Sequence, residues 1–93
     1  MQFEWDSLKS ARNAQERGLP FDVAMAIFDG PTLEVQDRRR DYGEVRVRSI
    51  GMVRGIALVC VYVDREGRRR IISLRKANRN ETDAYRAAYQ SGR

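Results

Sequence analysis

The sequence predicts an α+β domain of two N-terminal helices, an antiparallel sheet of three to four strands and a C-terminal helix. Three observations carry this reading. Apolar residues recur at helical spacing up to Phe28 and again after Asn78. Between them, residues 32–76 form a run of strand-like segments separated by turn signals such as Asp64-Arg65-Glu66-Gly67. Helices segregated from meandering strands argue against a parallel α/β sheet. A chain of 93 residues suits one compact domain, 1–93, with a single core.

Asp6 is a good N-cap and Gly18 a good C′ residue, which bounds a first helix over Ser7–Arg17. Leu8 and Ala11, with Ala14 or Gln15, give it a modest apolar stripe. Ahead of it Phe3 and Trp5 alternate, so residues 2–5 are candidates for a short edge strand. Pro20 suits a first helical turn, and a second helix is expected over Pro20–Phe28. Its apolar face would be Phe21, Ala24, Met25 and Phe28, and Asp29-Gly30-Pro31 would end it.

The first meander strand reads as Thr32–Val35, followed by a charged loop over Asp37–Gly43. In Glu44–Ile50, Val45 and Val47 face one way, Arg46 and Arg48 the other. Gly51–Gly55 connects it to Ile56–Val63, apolar enough for a central strand covered on both faces. The turn Asp64–Gly67 leads into a last strand, Arg68–Lys76. Asn78 as N-cap and Glu81 three residues on form a capping box for a final helix over Arg79–Gln90. Ala84, Tyr85, Ala88 and Tyr89 make its expected packing face.

Composition removes several classes of function. The chain has no histidine, so the commonest general base and the commonest transition-metal ligand are absent. With a single cysteine, a zinc site is not expected, and Ser-His-Asp or Cys-His chemistry is excluded. Cys60 lies in the most apolar stretch and reads as a buried small hydrophobe. One cysteine also permits no internal disulfide and suits a reducing, cytoplasmic setting. No apolar run approaches the ~20 residues of a membrane helix. The acidic, aromatic start, Met1–Asp6, is unlike a signal peptide. No cofactor is expected.

Charge is distributed unevenly. Arg38 to Arg79 contains thirteen basic and four acidic residues, a net of +9, while the rest of the chain nets −4. Only Lys9 and Lys76 among the eighteen basic residues are lysines. Arginine binds phosphate oxygens in pairs and stacks on bases, so the arginine-dense middle marks a candidate nucleic-acid binder.

Motifs in order add a resemblance. The chain opens with Phe3-x-Trp5-Asp6-x-x-Lys9-x-x-x-Asn13, then Gly18-x-x-Phe21-x-x-Ala24 and Phe28-x-x-Pro31. Arg40-Asp41-Tyr42-Gly43-Glu44-x-Arg46 and Ile50-Gly51 follow. The most specific stretch is Arg70-Ile71-Ile72-Ser73-Leu74-Arg75-Lys76-Ala77, with Glu81 and Tyr85 beyond it. Together these resemble the BrnT toxins, a branch of the RelE-like ribonuclease toxins. In one place the chain departs from that pattern. Glu16-Arg17-Gly18 stands where the family usually has Lys-His-Gly.

The resemblance implies metal-independent cleavage of RNA that arrests translation and growth. It also implies a cognate BrnA-like antitoxin with a ribbon-helix-helix part, a two-plus-two complex, and operator DNA reached through that antitoxin. The other reading of the same residues is a non-catalytic nucleic-acid-binding or co-repressor domain.

Metal-free cleavage requires charge stabilisation at the phosphate and help with proton transfer. Arg75 and Arg70 are the first candidates for the charge, joined by Arg46. Regular alternation would put Arg70 and Arg75 on opposite faces, so either one lies at the rim or a bulge re-aims it. Glu44 is the candidate base, with nearby arginines expected to lower its pKa. Lys9 is a candidate proton donor or phosphate ligand. Arg38, Arg39, Arg40, Tyr42, Ser73, Lys76 and Tyr85 are candidate RNA contacts, with Tyr42 or Tyr85 stacking on a base. Arg48 reads as a solvated charge.

Overall fold

The computed structural model describes residues 1–90. Its elements are β1 (Gln2–Trp5), α1 (Ser7–Arg17), a 3-10 turn (Phe21–Val23), α2 (Ala24–Ile27), β2 (Leu33–Asp37), β3 (Arg46–Val53), β4 (Ile56–Arg65), β5 (Arg68–Lys76) and α3 (Arg79–Tyr89). The class is α+β, but the sheet has five strands in the order β1-β5-β4-β3-β2. It is mixed rather than antiparallel, because β1 joins β5 in parallel. Strands β2 to β5 form the antiparallel meander.

Both hairpin turns of the meander are tight. Arg54 and Gly55 adopt φ of 51° and 80°, and Glu66 and Gly67 adopt 51° and 78°. Two successive positive φ values match the right-handed twist of the flanking strands. Strand β3 therefore runs on through Gly51, Met52 and Val53, which the sequence assigns to a longer connection.

Helix α1 starts and stops as its caps dictate. Asp6 accepts from the Leu8 and Lys9 amides, and Gly18 takes a left-handed conformation. Its expected apolar stripe is not used: the helix buries no residue, and Leu8 is 79% exposed. Polar contacts hold it instead. The Asn13 side-chain amide donates to the Leu19 and Leu74 carbonyls at 2.7 and 2.9 Å. The Ser10 hydroxyl accepts from the Phe21 amide at 2.8 Å. β1 pairs with β5 only as far as Ile71, so Asn13 serves an edge carbonyl that no strand reaches.

The second expected helix is a 3-10 turn followed by one turn of α-helix. The tighter start rotates its apolar face to a spacing of three. Phe21, Ala24 and Ile27 are buried, while Met25 is 39% exposed and Phe28 is half-buried. Helix α3 has the full capping box, but only Tyr85 of its expected packing face is buried.

One sheet face carries the main core. Leu58, Cys60 and Tyr62 of β4 and Ile71 and Leu74 of β5 pack with Phe21, Ala24 and Ile27. Cys60 is fully buried, and burial pushes its thiol up to about 12, so it is inert as a nucleophile at neutral pH. On the opposite face Ile50, Val59 and Tyr85 make a smaller cluster with Leu33, Met52 and Ala77, covering one end of the sheet under α3.

Gly51 marks the closest approach of a strand to the helical layer, since a Cβ there would collide with the Ile27 side chain. Gly51→Ala is expected to destabilise the fold by about 1–3 kcal/mol through overpacking. A denaturation midpoint equal to that of the parent protein would refute this contact.

Candidate active site

Strand register decides which side chains share the second face. Along β4 and β5, Val59 pairs with Arg75 and Val61 with Ser73. The register then shifts: Tyr62 pairs with Ile71 and Val63 with Arg70, leaving Ile72 as an extra residue. This bulge reverses the alternation between Arg70 and Arg75. Both arginines therefore stand on the face of Val59, Val61 and Val63. Ile71 and Leu74 keep their places in the core on the other side.

Strand β3 supplies the facing wall. Arg48 pairs with Val61 and Ile50 with Val59, so Arg48 and Arg46 point to the same face as Arg70 and Arg75. Neighbouring strands lie about 4.8 Å apart. The result is an arginine-lined strip of sheet face, termed the trough, with Arg46 and Arg48 on one side, Arg70 and Arg75 on the other, and the buried valines of β4 between them. α3 closes one end.

Most of these arginines already face a carboxylate. Arg75 donates both terminal nitrogens to Glu81, Nη1 to Oε1 and Nη2 to Oε2, at 2.8 Å each. Its Nη1 also donates to the Lys76 carbonyl at 3.3 Å. The Nε/Nη2 edge of its fork retains two N–H groups with no acceptor among the described residues. A phosphate can take that edge without displacing Glu81. The pair holds the Glu81 carboxyl down at about 2.

At the other end, Arg70 lies 3.4 Å from Glu4, which also faces Arg68 at 3.5 Å. Glu44 pairs with Arg65 at 2.6 Å and with Arg46 at 3.6 Å. Arg65 chiefly, then Arg46, hold the Glu44 carboxyl below its usual range, which weakens it as a base. The Arg46 guanidinium sits 3.9 Å from the centre of the Tyr42 ring, so one face of that ring is covered. Arg40 lies 5.7 Å from the same ring.

The remaining sequence-predicted residues divide. Arg39 forms a bidentate pair with the buried Asp37 at 2.9 Å, which holds that carboxyl far below the carboxylate range. Arg38 bonds to Gln36 and is exposed. Ser73 is exposed on the trough face. Lys9 lines a cavity of about 150 Å³ at the β5 edge with Arg12, Asn13, Ile72 and Ser73.

Two of the predicted residues are not presented on the arginine-lined face. Lys76 pairs with Leu58 and so belongs to the opposite face. Tyr85 is 3% exposed and donates its hydroxyl to the Pro31 carbonyl, so its ring is core rather than a stacking surface. The larger cavity, about 430 Å³, lies on the other face beside Phe3, Phe28 and Arg69 and contains none of the predicted site residues.

The domain is an α+β sheet with one face lined by arginine forks. The chain belongs to the BrnT family: a family model described as ribonuclease toxin, BrnT, of type II toxin-antitoxin system matches residues 5–81. That span contains all four trough arginines and Glu81. A comparison with curated proteins gives no match. Membership makes RNA the target and a protein antitoxin the partner of this kind of toxin. Among the described residues no helix is long and apolar enough to cross a membrane.

Proposed function

We propose that the trough is the site of a metal-independent endoribonuclease reaction that stops translation and growth. The ribose 2′-oxygen bonds to the adjacent phosphorus and the bond from phosphorus to the 5′-oxygen breaks, leaving a 2′,3′-cyclic phosphate. Glu44 takes the 2′-hydroxyl proton, and water supplies one to the departing 5′-oxygen. Arg75 and Arg70, with Arg46, stabilise the charge that grows on the non-bridging oxygens. Lys9 and Arg38 to Arg40 hold flanking phosphates. RNA brings its own nucleophile, so no activated side chain is required.

The observation carrying this reading is the bulge at Ile72, which sets Arg70 and Arg75 on one face opposite Arg46. With no histidine, the thiol pushed up and the Glu44 carboxyl held down, the chain offers only a weak base for proton transfer. The same observation favours a second reading, an RNA-binding or co-repressor domain without catalysis. Incubating purified protein with naked RNA separates the two. Fragments ending in cyclic phosphate support the enzyme, whereas stable complexes with intact RNA support the binding domain.

The partner we infer is a BrnA-like antitoxin whose ribbon-helix-helix part reaches operator DNA in a two-plus-two complex. It would neutralise the toxin by covering the trough or an adjacent sheet edge. Protection of the trough arginines from a guanidinium-modifying reagent in the complex checks this, and unchanged modification would count against it.

A further inference from the structure

The guanidinium with the fewest partners on the trough face is that of Arg48, a residue whose sequence context suggests only a solvated charge. Its Nε is buried and has no hydrogen-bond partner among the described residues. No hydrogen bond or ion pair joins it to any described residue. Arg46, whose Nε is likewise unbonded, differs in having Glu44 at 3.6 Å and the Tyr42 ring at 3.9 Å. Arg70 has Glu4 and Arg75 has Glu81.

Register puts Arg48 beside Val61, in the row between Val59–Arg75 and Val63–Arg70. It is therefore central in the trough, where its charge adds a little to what holds the Glu81 carboxyl low. A buried donor without an acceptor is a standing cost to the fold unless something outside the chain satisfies it. Such a cost, placed in the middle of a cationic surface, is the pattern of a residue kept for its ligand rather than for stability.

We infer that Arg48 is the principal phosphate-binding residue of the site, taking the non-bridging oxygens of the phosphate that Arg70 and Arg75 approach from the other wall. This rests on the RNA-cleaving reading, which places a phosphodiester in the trough. Among the described residues no acceptor is lost with it, so Arg48→Met is expected to fold.

Two measurements test the assignment. Binding of a 2′-deoxy-substituted, uncleavable oligoribonucleotide is measured across a salt series for the parent protein, Arg48→Met and Arg17→Ala. Arg17 is an exposed arginine on α1 and controls for the loss of one charge. Arg48→Met is expected to bind about tenfold more weakly and to lose about 0.7 from the salt slope, one single-strand phosphate contact. It is expected to melt at or above the parent temperature, which a merely structural arginine would not do. Parent-like affinity and slope in Arg48→Met, with the parent binding normally, would remove Arg48 and leave the RNA reading intact.

The second measurement follows the Arg48 Nε–H resonance while inorganic phosphate is added to the free protein. A saturable shift, absent for Arg17, supports the anion site even in a preparation that fails to cleave RNA. A parent protein that shows neither the shift nor RNA binding overturns both readings.

Discussion

Arg75→Ala is expected to lower the rate of RNA cleavage by at least about 100-fold, the scale seen when one preorganised donor to a developing oxyanion is removed. Growth arrest on induction should disappear with it. The expectation follows from how the fork is used. Glu81 and the Lys76 carbonyl occupy three of its N–H groups and fix its plane, leaving the Nε/Nη2 edge for the phosphate. Arg75→Lys keeps the charge but loses that edge, so it should recover little activity. Truncation also strands Glu81, which is only 14% exposed, so melting must be followed alongside. A folded Arg75→Ala protein with undiminished cleavage or toxicity would take Arg75 out of the chemistry.

What the sequence revealed depends on how local each cause is. Caps are local: Asp6, Gly18 and the Asn78–Glu81 box set helix ends that the structure places within a residue. The continuous apolar run of β4 likewise announces a strand buried on both faces. The pairing of β1 with β5 is not local, for Glu4 and Arg70 are 66 residues apart, and nothing near either one announces it. The spacing of Phe21, Ala24 and Ile27 departs from the helical period because the 3-10 start depends on how α1 hands the chain over at Ser10. Leu8 misled because α1 lies along a sheet edge and satisfies carbonyls there rather than burying an apolar face.

The site shows the same division. Alternation along β5 raised the conflict between Arg70 and Arg75, and named a bulge as one way out, but could not locate it at Ile72. Lys76, next to Arg75 on a regular stretch of β5, points to the other face. Tyr85 follows helical spacing into the core. The Glu44-x-Arg46 motif sets Arg46 apart in the sequence, whereas nothing there singles out Arg48. In the fold Arg46 meets its near neighbours Glu44 and Tyr42, while no hydrogen bond or ion pair reaches the Arg48 guanidinium among the described residues.

Glu81 connects the fold to the site, and its neutral analogue separates the two roles. Glutamine can still serve the capping box, so Glu81→Gln should keep α3 while losing the ionic clamp on Arg75. The carboxyl is held at about 2 instead of 4.5, chiefly by the hydrogen bonds from Arg75. Such a depression corresponds to about 3 kcal/mol, which solvent around a partly exposed pair reduces to about 1–2. The folded-state value lies below the unfolded one, so this stability is present above pH ~4.5 and is lost as pH falls through about 2. At pH 7 the variant should melt about 5–10 °C lower than the parent. Both proteins weaken in acid as other paired carboxylates protonate, but the gap between them should close by about pH 2. Activity should divide in a way that stability does not. An unclamped fork still attracts RNA, so KM should hold or fall, while kcat should drop about tenfold as the Nε/Nη2 edge loses its aim. A gap in melting temperature that persists unchanged into strong acid would mean that the Arg75–Glu81 pair is not what holds this carboxyl ionised. An unchanged kcat would mean that the clamp does not orient the arginine.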